Sequence, residues 1–148
     1  MIRAGMTGRF GPVSLVEHDG RLVALDWRLP EVQHESPLLA EGLAQLAAYF
    51  DGRLGQFDLP LEWGTGLNES VRRAMAAIPM GETRSYGQIA RVVGAPARAV
   101  GQACGANPLP ILIPCHRVTG TGWFGGFSAP GGVETKAALL RHEGALML

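Results

Sequence analysis

Cys115 and His116 stand side by side at the end of the apolar run Ile111-Leu112-Ile113-Pro114. A cysteine held where water is scarce is either a small core hydrophobe or a nucleophile. As a nucleophile it needs a proton acceptor, because a free thiol with a pKa near ~8.5 is mostly protonated at neutral pH. The run reads as an extended segment, in which neighbouring side chains point apart. His116 would then reach the thiol through a bridging water rather than directly. A carboxylate should hold the far side of the imidazole.

The chain that positions this pair has 148 residues, 47% hydrophobic and 18% charged. That composition fits one domain or two small lobes and excludes disordered and fibrous classes. No stretch approaches the roughly 18 apolar residues of a membrane helix, and the start lacks the apolar run of a signal peptide. Two cysteines cannot make a disulfide framework, and no Cys/His cluster has zinc spacing. A reduced, cytoplasmic protein without a metal is expected. Net charge is zero but unevenly spread. Residues 1–63 hold five Arg against nine acidic residues, and residues 64–148 hold seven Arg and one Lys against four Glu. A net −4 half and a net +4 half point to a polyanion partner for the second one.

The organisation follows the same division. Residues 1–63 read as a small α/β lobe with a connector. Val13–Val16 and Leu22–Trp27 flank His18-Asp19-Gly20, a hairpin signal. A helix follows, capped by Ser36 with Pro37 in its first turn, sharing Leu38, Leu39, Leu43, Leu46, Ala47 and Phe50 on one face and closed by Gly52. Leu54 to Gly66, with Pro60 and three glycines, is the connector.

Residues 64–148 read as short helices. Asn68–Ile78 carries Val71, Met75 and Ile78 on a stripe, with Arg72 and Arg73 off it. Ser85-Tyr86-Gly87-Gln88 is a capping box opening a helix that turns Ile89, Val92 and Val93 inward. After the turn Gly94-Ala95-Pro96 comes a second helix, Arg98–Ala106, built of small residues apart from Arg98 and Gln102. Two short helices around a Gly turn suggest a helix-turn-helix whose second member meets DNA. The small residues serve tight helix packing equally well. An extended run and the glycine-dense loop Thr119–Gly132 would form a wing, and Val133–Gly144 a last helix.

The motifs GETRSYGQIARVVG, ARAVGQA, NPLPILIPCHRV and GGFSAPGGVETKAALLRHEG, in this order, resemble the methylated-DNA–protein-cysteine methyltransferases, also called O-6-alkylguanine-DNA alkyltransferases. The dense match spans about residues 78–144. The resemblance implies an α/β (α+β) fold with a winged helix-turn-helix-like second domain. It implies irreversible transfer of an alkyl group from O-6-alkylguanine in double-stranded DNA to Cys115, with no cofactor, and leaves O-4-alkylthymine open as a second substrate. It makes Glu143 the carboxylate behind His116, where sequence alone reads a solvated helix end. Asn107 would tie the cysteine segment to the second helix, or simply end that helix. Tyr86 would give a proton to the departing guanine, or be a half-buried aromatic. Pro110 and Phe127 would wall the base pocket, and Ser128, with backbone groups near Val118 and Phe127, would bind the guanine oxygen. Arg98 would replace the base that leaves the stack, while Ala99, Gly101 and Gln102 lie along DNA. Arg84, Arg91 and Arg117 could each contact phosphate or be solvated charges. A monomer is implied, with cooperative binding on DNA left open.

Within the resemblance, the turn Gly94–Arg98 is shorter than the common family version, and Phe127 stands where Tyr is usual. Two other classes compete. A non-catalytic helix-turn-helix regulator would leave Cys115 and His116 unexplained. A cysteine hydrolase would draw its base from far away in sequence and leave an Arg-bearing helix idle.

Overall fold

A computed structural model describes residues 1–122 and 125–146. Trp123 and Phe124 of the glycine-dense loop, and residues 147–148, lie outside the described residues. The chain divides into two compact units, Met1–Glu62 and Trp63–Leu148.

The first unit is a three-stranded antiparallel sheet of β1 (Ile2–Gly8), β2 (Gly11–His18) and β3 (Arg21–Asp26), in that order, with helix α1 (Pro37–Phe50). The β2–β3 hairpin turns at Asp19-Gly20, both with positive φ (50° and 73°). That pair of angles matches the right-handed twist of the strands, which is why Asp-Gly signals a hairpin. Strand β1 is absent from the sequence reading because two glycines interrupt its pattern. The fold explains both: a Cβ on Gly5 would run into the Val13 carbonyl and the Pro30 ring, and one on Gly8 into the Phe50 ring.

Helix α1 begins as expected, with the Ser36 hydroxyl accepting from the Leu39 N–H at 2.9 Å. Leu39, Leu46 and Phe50 are buried together with Gly42 and Tyr49, while Leu38, Leu43 and Ala47 border that face. They join Val13, Leu15 and Leu22 in the core. The connector is less free than its composition suggests. Leu22 donates to Pro60 and accepts from Glu62, both at 2.9 Å, so Leu61 forms a parallel bridge with β3.

The second unit holds α2 (Gly66–Ala76), β4 (Arg84–Ser85), α3 (Tyr86–Val93), α4 (Ala97–Gly105), a 3₁₀ turn (Cys115–Arg117), β5 (Val118–Thr119) and α5 (Val133–His142). The capping box at Ser85 and Gln88 forms in full. Gly94, at φ 73°, ends α3, and Pro96 opens α4, giving two short helices around a tight turn. Both pack on α2. The expected wing reduces, among the described residues, to a two-residue parallel pairing of β4 with β5.

Three expectations fail here. Arg72 is buried, not off the apolar stripe of α2: its Nη1 donates to the Trp63 carbonyl at 3.2 Å while its stem packs inward. Val92 does not face inward but is 75% exposed. The stripe of α3 runs through Tyr86, Ile89, Ala90 and Val93, and Val92 lies about a third of a turn away from it. Finally, residues 107–117 are not extended, and only Val118 enters a strand. Pro108, Pro110 and Pro114 have no N–H for a ladder. The segment instead curls on local bonds, Ile113 N–H to Leu109 at 2.8 Å and Cys115 N–H to Ile113 at 2.7 Å.

Candidate active site

The curl buries Leu109, Ile111, Leu112 and Ile113 and leaves Cys115 half-buried at the start of the 3₁₀ turn. It also holds Ile111 at φ 71°, a left-handed conformation that a β-branched residue adopts only under compulsion. Such strain persists where packing over-determines the backbone, and the Ile111 side chain is 1% exposed. Asn107 braces the segment: its Nδ2 donates to the Ile113 carbonyl at 2.9 Å and its Oδ1 accepts from Leu109 N–H at 3.1 Å.

A 3₁₀ turn has three residues per revolution, so adjacent side chains still diverge. Cys115 faces a cavity of about 320 Å³, lined also by Tyr86, Gly101, Cys104, Gly105, Gly126, Phe127 and Ser128. His116 turns the other way and is fully buried, with Nε2 2.6 Å from Glu143 Oε2. A carboxylate accepts, so Nε2 carries the proton and Nδ1 is left bare. Nδ1 is buried and has no hydrogen-bond partner among the described residues. Burial pushes the His116 pKa down, against the pull of Glu143 upward. A neutral imidazole with one bare nitrogen is the form a general base requires.

Glu143 sits just past α5 and carries a second load. Arg117 donates to it twice, Nε to Oε1 at 2.8 Å and Nη2 to Oε2 at 3.0 Å, and gives Nη1 to the Ile78 carbonyl at 2.7 Å. Arg117 is 4% exposed, so it is an anchor of the carboxylate rather than a phosphate contact.

The thiol rests protonated. Burial pushes the Cys115 pKa up, while the Asn107 side chain, the Lys136 ammonium and the backbone N–H groups of residues 115 and 116 pull it down. Tyr86 is pushed up as well, first by burial and then by the two cysteines, so it keeps its proton at neutral pH.

A family model described as 6-O-methylguanine DNA methyltransferase, DNA binding domain, matches residues 66–145. The methylated-DNA–protein-cysteine methyltransferase of Mycobacterium tuberculosis (strain H37Rv) is 43% identical over 144 residues, covering 90% of this chain and 86% of the relative. This chain belongs to that family. The constitutive methylated-DNA–protein-cysteine methyltransferase of Bacillus subtilis is 41% identical, covering 90% of this chain and 89% of its own. The crystal structure of Mycobacterium tuberculosis OGT in complex with DNA superposes with a TM-score of 0.84 at 38% identity, over 98% of this chain and 94% of that one. The resemblance drawn from the motifs, and the α/β fold it implied, are borne out.

The remaining residues singled out on family grounds divide by position. Phe127 and Ser128 line the cavity, and Gly101 does so from α4. Pro110 is half-buried and Val118 fully buried, and neither lines the cavity. The Val118 carbonyl instead accepts from Lys136 Nζ at 2.6 Å. Arg98, Gln102 and Arg91 are exposed, Ala99 is half-buried, and Arg84 is paired with Glu82 at 3.0 Å.

Sequence reasoning missed Lys136. It is fully buried, reaches a second carbonyl, Gly126, at 3.3 Å, and lies 5.9 Å from the Tyr86 ring centroid. Burial pushes its pKa down, and the two cysteines pull it up. The signal was in the sequence. Lys136 shares the face of Leu139 and Leu140, and a lysine on an apolar helical stripe is either snorkelling or held.

Proposed function

We propose that the protein repairs alkylated DNA by direct reversal, taking a methyl or larger alkyl group from O-6 of guanine onto Cys115. The observation that carries this reading is the placement of Cys115 on a cavity wall with His116–Glu143 behind it. The resting thiol gives its proton to His116 Nδ1 through a water, and Glu143 stabilises the imidazolium that forms. The sulfur–carbon bond forms as the carbon–oxygen bond breaks, and the guanine leaves with the electron pair. Tyr86 supplies the proton that neutralises the departing base, and Ser128 binds its oxygen. Lys136 ties the β5 backbone to the Gly126 carbonyl and favours negative charge on the sulfur. A thioether is inert, so each molecule acts once and needs no cofactor.

A guanine inside a duplex cannot reach this cavity, so the nucleotide must be flipped, at a cost of a few kcal/mol. Exposed Arg98, the second residue of α4, fills the vacated position. Arg91, Gln102 and Arg84 face the DNA backbone, and half-buried Ala99 and small Gly101 permit close approach. Alkylated thymine, with the same alkoxy carbon, is a second proposed substrate. No helix among the described residues is long and apolar enough to cross a membrane. A reactive free thiol suits a reducing compartment, and we place the protein in the cytoplasm as a monomer.

Intact-mass analysis after mixing with a duplex containing O-6-methylguanine tests the reading. One methyl per molecule, mapped to Cys115, is expected. Sustained turnover, or methyl on Cys104, overturns it. Flipping is tested separately with Arg98→Ala, which should lose roughly 10-fold to 1000-fold in rate on duplex while reacting normally with the free methylated base. Equal losses on both substrates would remove Arg98 from that role.

A further inference from the structure

We propose that Cys104 is a resolving thiol: when a peroxide oxidises Cys115, Cys104 closes a reversible disulfide with it and spares the acceptor from irreversible loss. This rests on the transfer reading above, because the His116–Glu143 pair that readies Cys115 for an alkyl carbon readies it equally for a peroxide oxygen. In a protein that acts once, a sulfur oxidised past sulfenic acid is a repair lost. Cys104 lies on α4 and Cys115 opens the 3₁₀ turn, yet both line one cavity of about 320 Å³. They are near enough that ionised Cys115 raises the Cys104 pKa. Cys104 is loosely held, since its thiol donates to Met75 Sδ at 3.6 Å and a thioether is a weak acceptor. Beside it, a Cβ on Gly101 or Gly105 would meet nothing within 4 Å. The Cys104 sulfur therefore has room to leave Met75 by an ordinary change of χ1 rotamer.

The two thiols take different parts. Burial pushes the Cys104 pKa up to about 12, so it stays protonated and is a poor first target for peroxide. Oxidation begins at Cys115, whose proton passes through water to His116. The Cys115 sulfur attacks one peroxide oxygen, and the sulfur–oxygen bond forms as the oxygen–oxygen bond breaks. The departing hydroxide takes the proton back from His116 and leaves as water, with Cys115 as sulfenic acid. The Cys104 sulfur then attacks the Cys115 sulfur. The disulfide forms as the sulfur–oxygen bond breaks, and the hydroxide released takes the Cys104 proton to become a second water. Two thiols and one peroxide thus give one disulfide and two waters, with the peroxide reduced by two electrons. Without a partner thiol, a second peroxide carries Cys115 on to sulfinic acid, which thiols do not reduce.

The test treats the reduced full-length protein with hydrogen peroxide and maps both cysteines by mass. Transfer from a duplex containing O-6-methylguanine is assayed before and after dithiothreitol. The wild type should lose two hydrogens, yield a cross-linked Cys104–Cys115 peptide and stop taking methyl. Dithiothreitol should then restore its starting rate. Cys104→Ala should instead carry sulfinic acid on Cys115 and stay inactive after dithiothreitol. Each protein is compared with its own reduced form, so any effect of the substitution on transfer itself cancels. Sulfinic acid on wild-type Cys115 beside a free Cys104 thiol overturns the inference, as does a bridge between two molecules. Both thiols left reduced at a peroxide dose that consumes glutathione overturn it as well. If Cys104→Ala fails to fold by circular dichroism, Cys104→Ser takes its place. Recovery equal to wild type in either folded variant overturns the inference. A reduced wild type that never takes methyl brings down the transfer reading itself. A protein that takes methyl but forms no bridge brings down only the resolving thiol.

Discussion

The two units of this molecule solve different problems. Among the described residues, the one polar side chain buried in Met1–Glu62 is Ser14. In Trp63–Leu148 the buried set is Arg72, Asn107, His116, Arg117, Lys136 and Glu143. The first unit is a sheet and a helix closing over Val13, Leu15, Leu22, Leu39, Leu46 and Tyr49, held by apolar burial at roughly 1.5–3 kcal/mol per large side chain. The second desolvates four ionisable groups within hydrogen-bonding reach of one turn or of each other. Burying charge is costly unless every group is paired, and a unit selected for stability alone would replace such a set with apolar residues. The difference teaches that the second unit gives up stability to hold a base, its carboxylate and a buried ammonium in place.

Glu143→Gln should break this arrangement most severely. It removes the carboxylate charge and turns one of its two accepting oxygens into a donor, so His116 and Arg117 can no longer both be satisfied. Transfer to Cys115 should slow about 100-fold, the scale of lost general-base assistance. Circular dichroism run beside single-turnover kinetics separates the rate loss from unfolding. A folded variant with wild-type rate would remove Glu143 from the relay. Arg117→Ala leaves a buried carboxylate half-paired and should cost about 3–5 kcal/mol in urea denaturation. Its effect should be on stability and rate; weakened binding to all duplexes with unchanged stability would restore Arg117 as a phosphate contact.

In the first unit, Leu46→Ala should cost about 2–5 kcal/mol by leaving a cavity in the core. The rate per folded molecule should stay at the wild-type value, because Leu46 belongs to a unit without the reactive groups. A matching loss of rate would erase the contrast between the units.

The pH dependence sharpens the contrast. Burial lowers the His116 pKa, so the unfolded chain takes up a proton near the ordinary value of about 6.5 while the folded one resists. This contribution to stability is fully present above that pH and is lost as pH falls toward the folded pKa. The acid limb of the transfer rate should lie below about 6.5 for the same reason. An acid limb above that value would mean that His116 is not the base. The smallest effect is expected from Ser36→Ala, which removes the α1 cap and should cost about 1 kcal/mol by thermal melting. It should leave the rate unmoved.

Much of the fold was legible because local rules govern it. Ser36, Pro37, the Ser85–Gln88 box and Asp19-Gly20 act on residues within a few positions, and each forms as its chemistry demands. The errors fall where tertiary contacts override local pattern. Strand β1 accepts glycines because the Val13 carbonyl and Pro30 crowd Gly5 and the Phe50 ring crowds Gly8, and Arg72 turns inward because the Trp63 carbonyl meets it there. The apolar run before Cys115 reads as a strand by composition, but its three prolines forbid a ladder.

By itself the sequence determined the reactive pair Cys115-His116, the two short helices with a tight turn, and the family to which the chain belongs. Those depend on residue identity and short spacings, which are written in order along the chain. Only the tertiary structure decided that Arg117 and Lys136 are buried and that Cys104 shares a cavity with Cys115. The pairing of Glu143 with His116 came from the resemblance; the structure gave its 2.6 Å contact across 27 residues of chain and showed Arg117 on the same carboxylate. The physical reason is that burial and pairing are properties of the packed whole: a charge can be desolvated only where another element brings its partner.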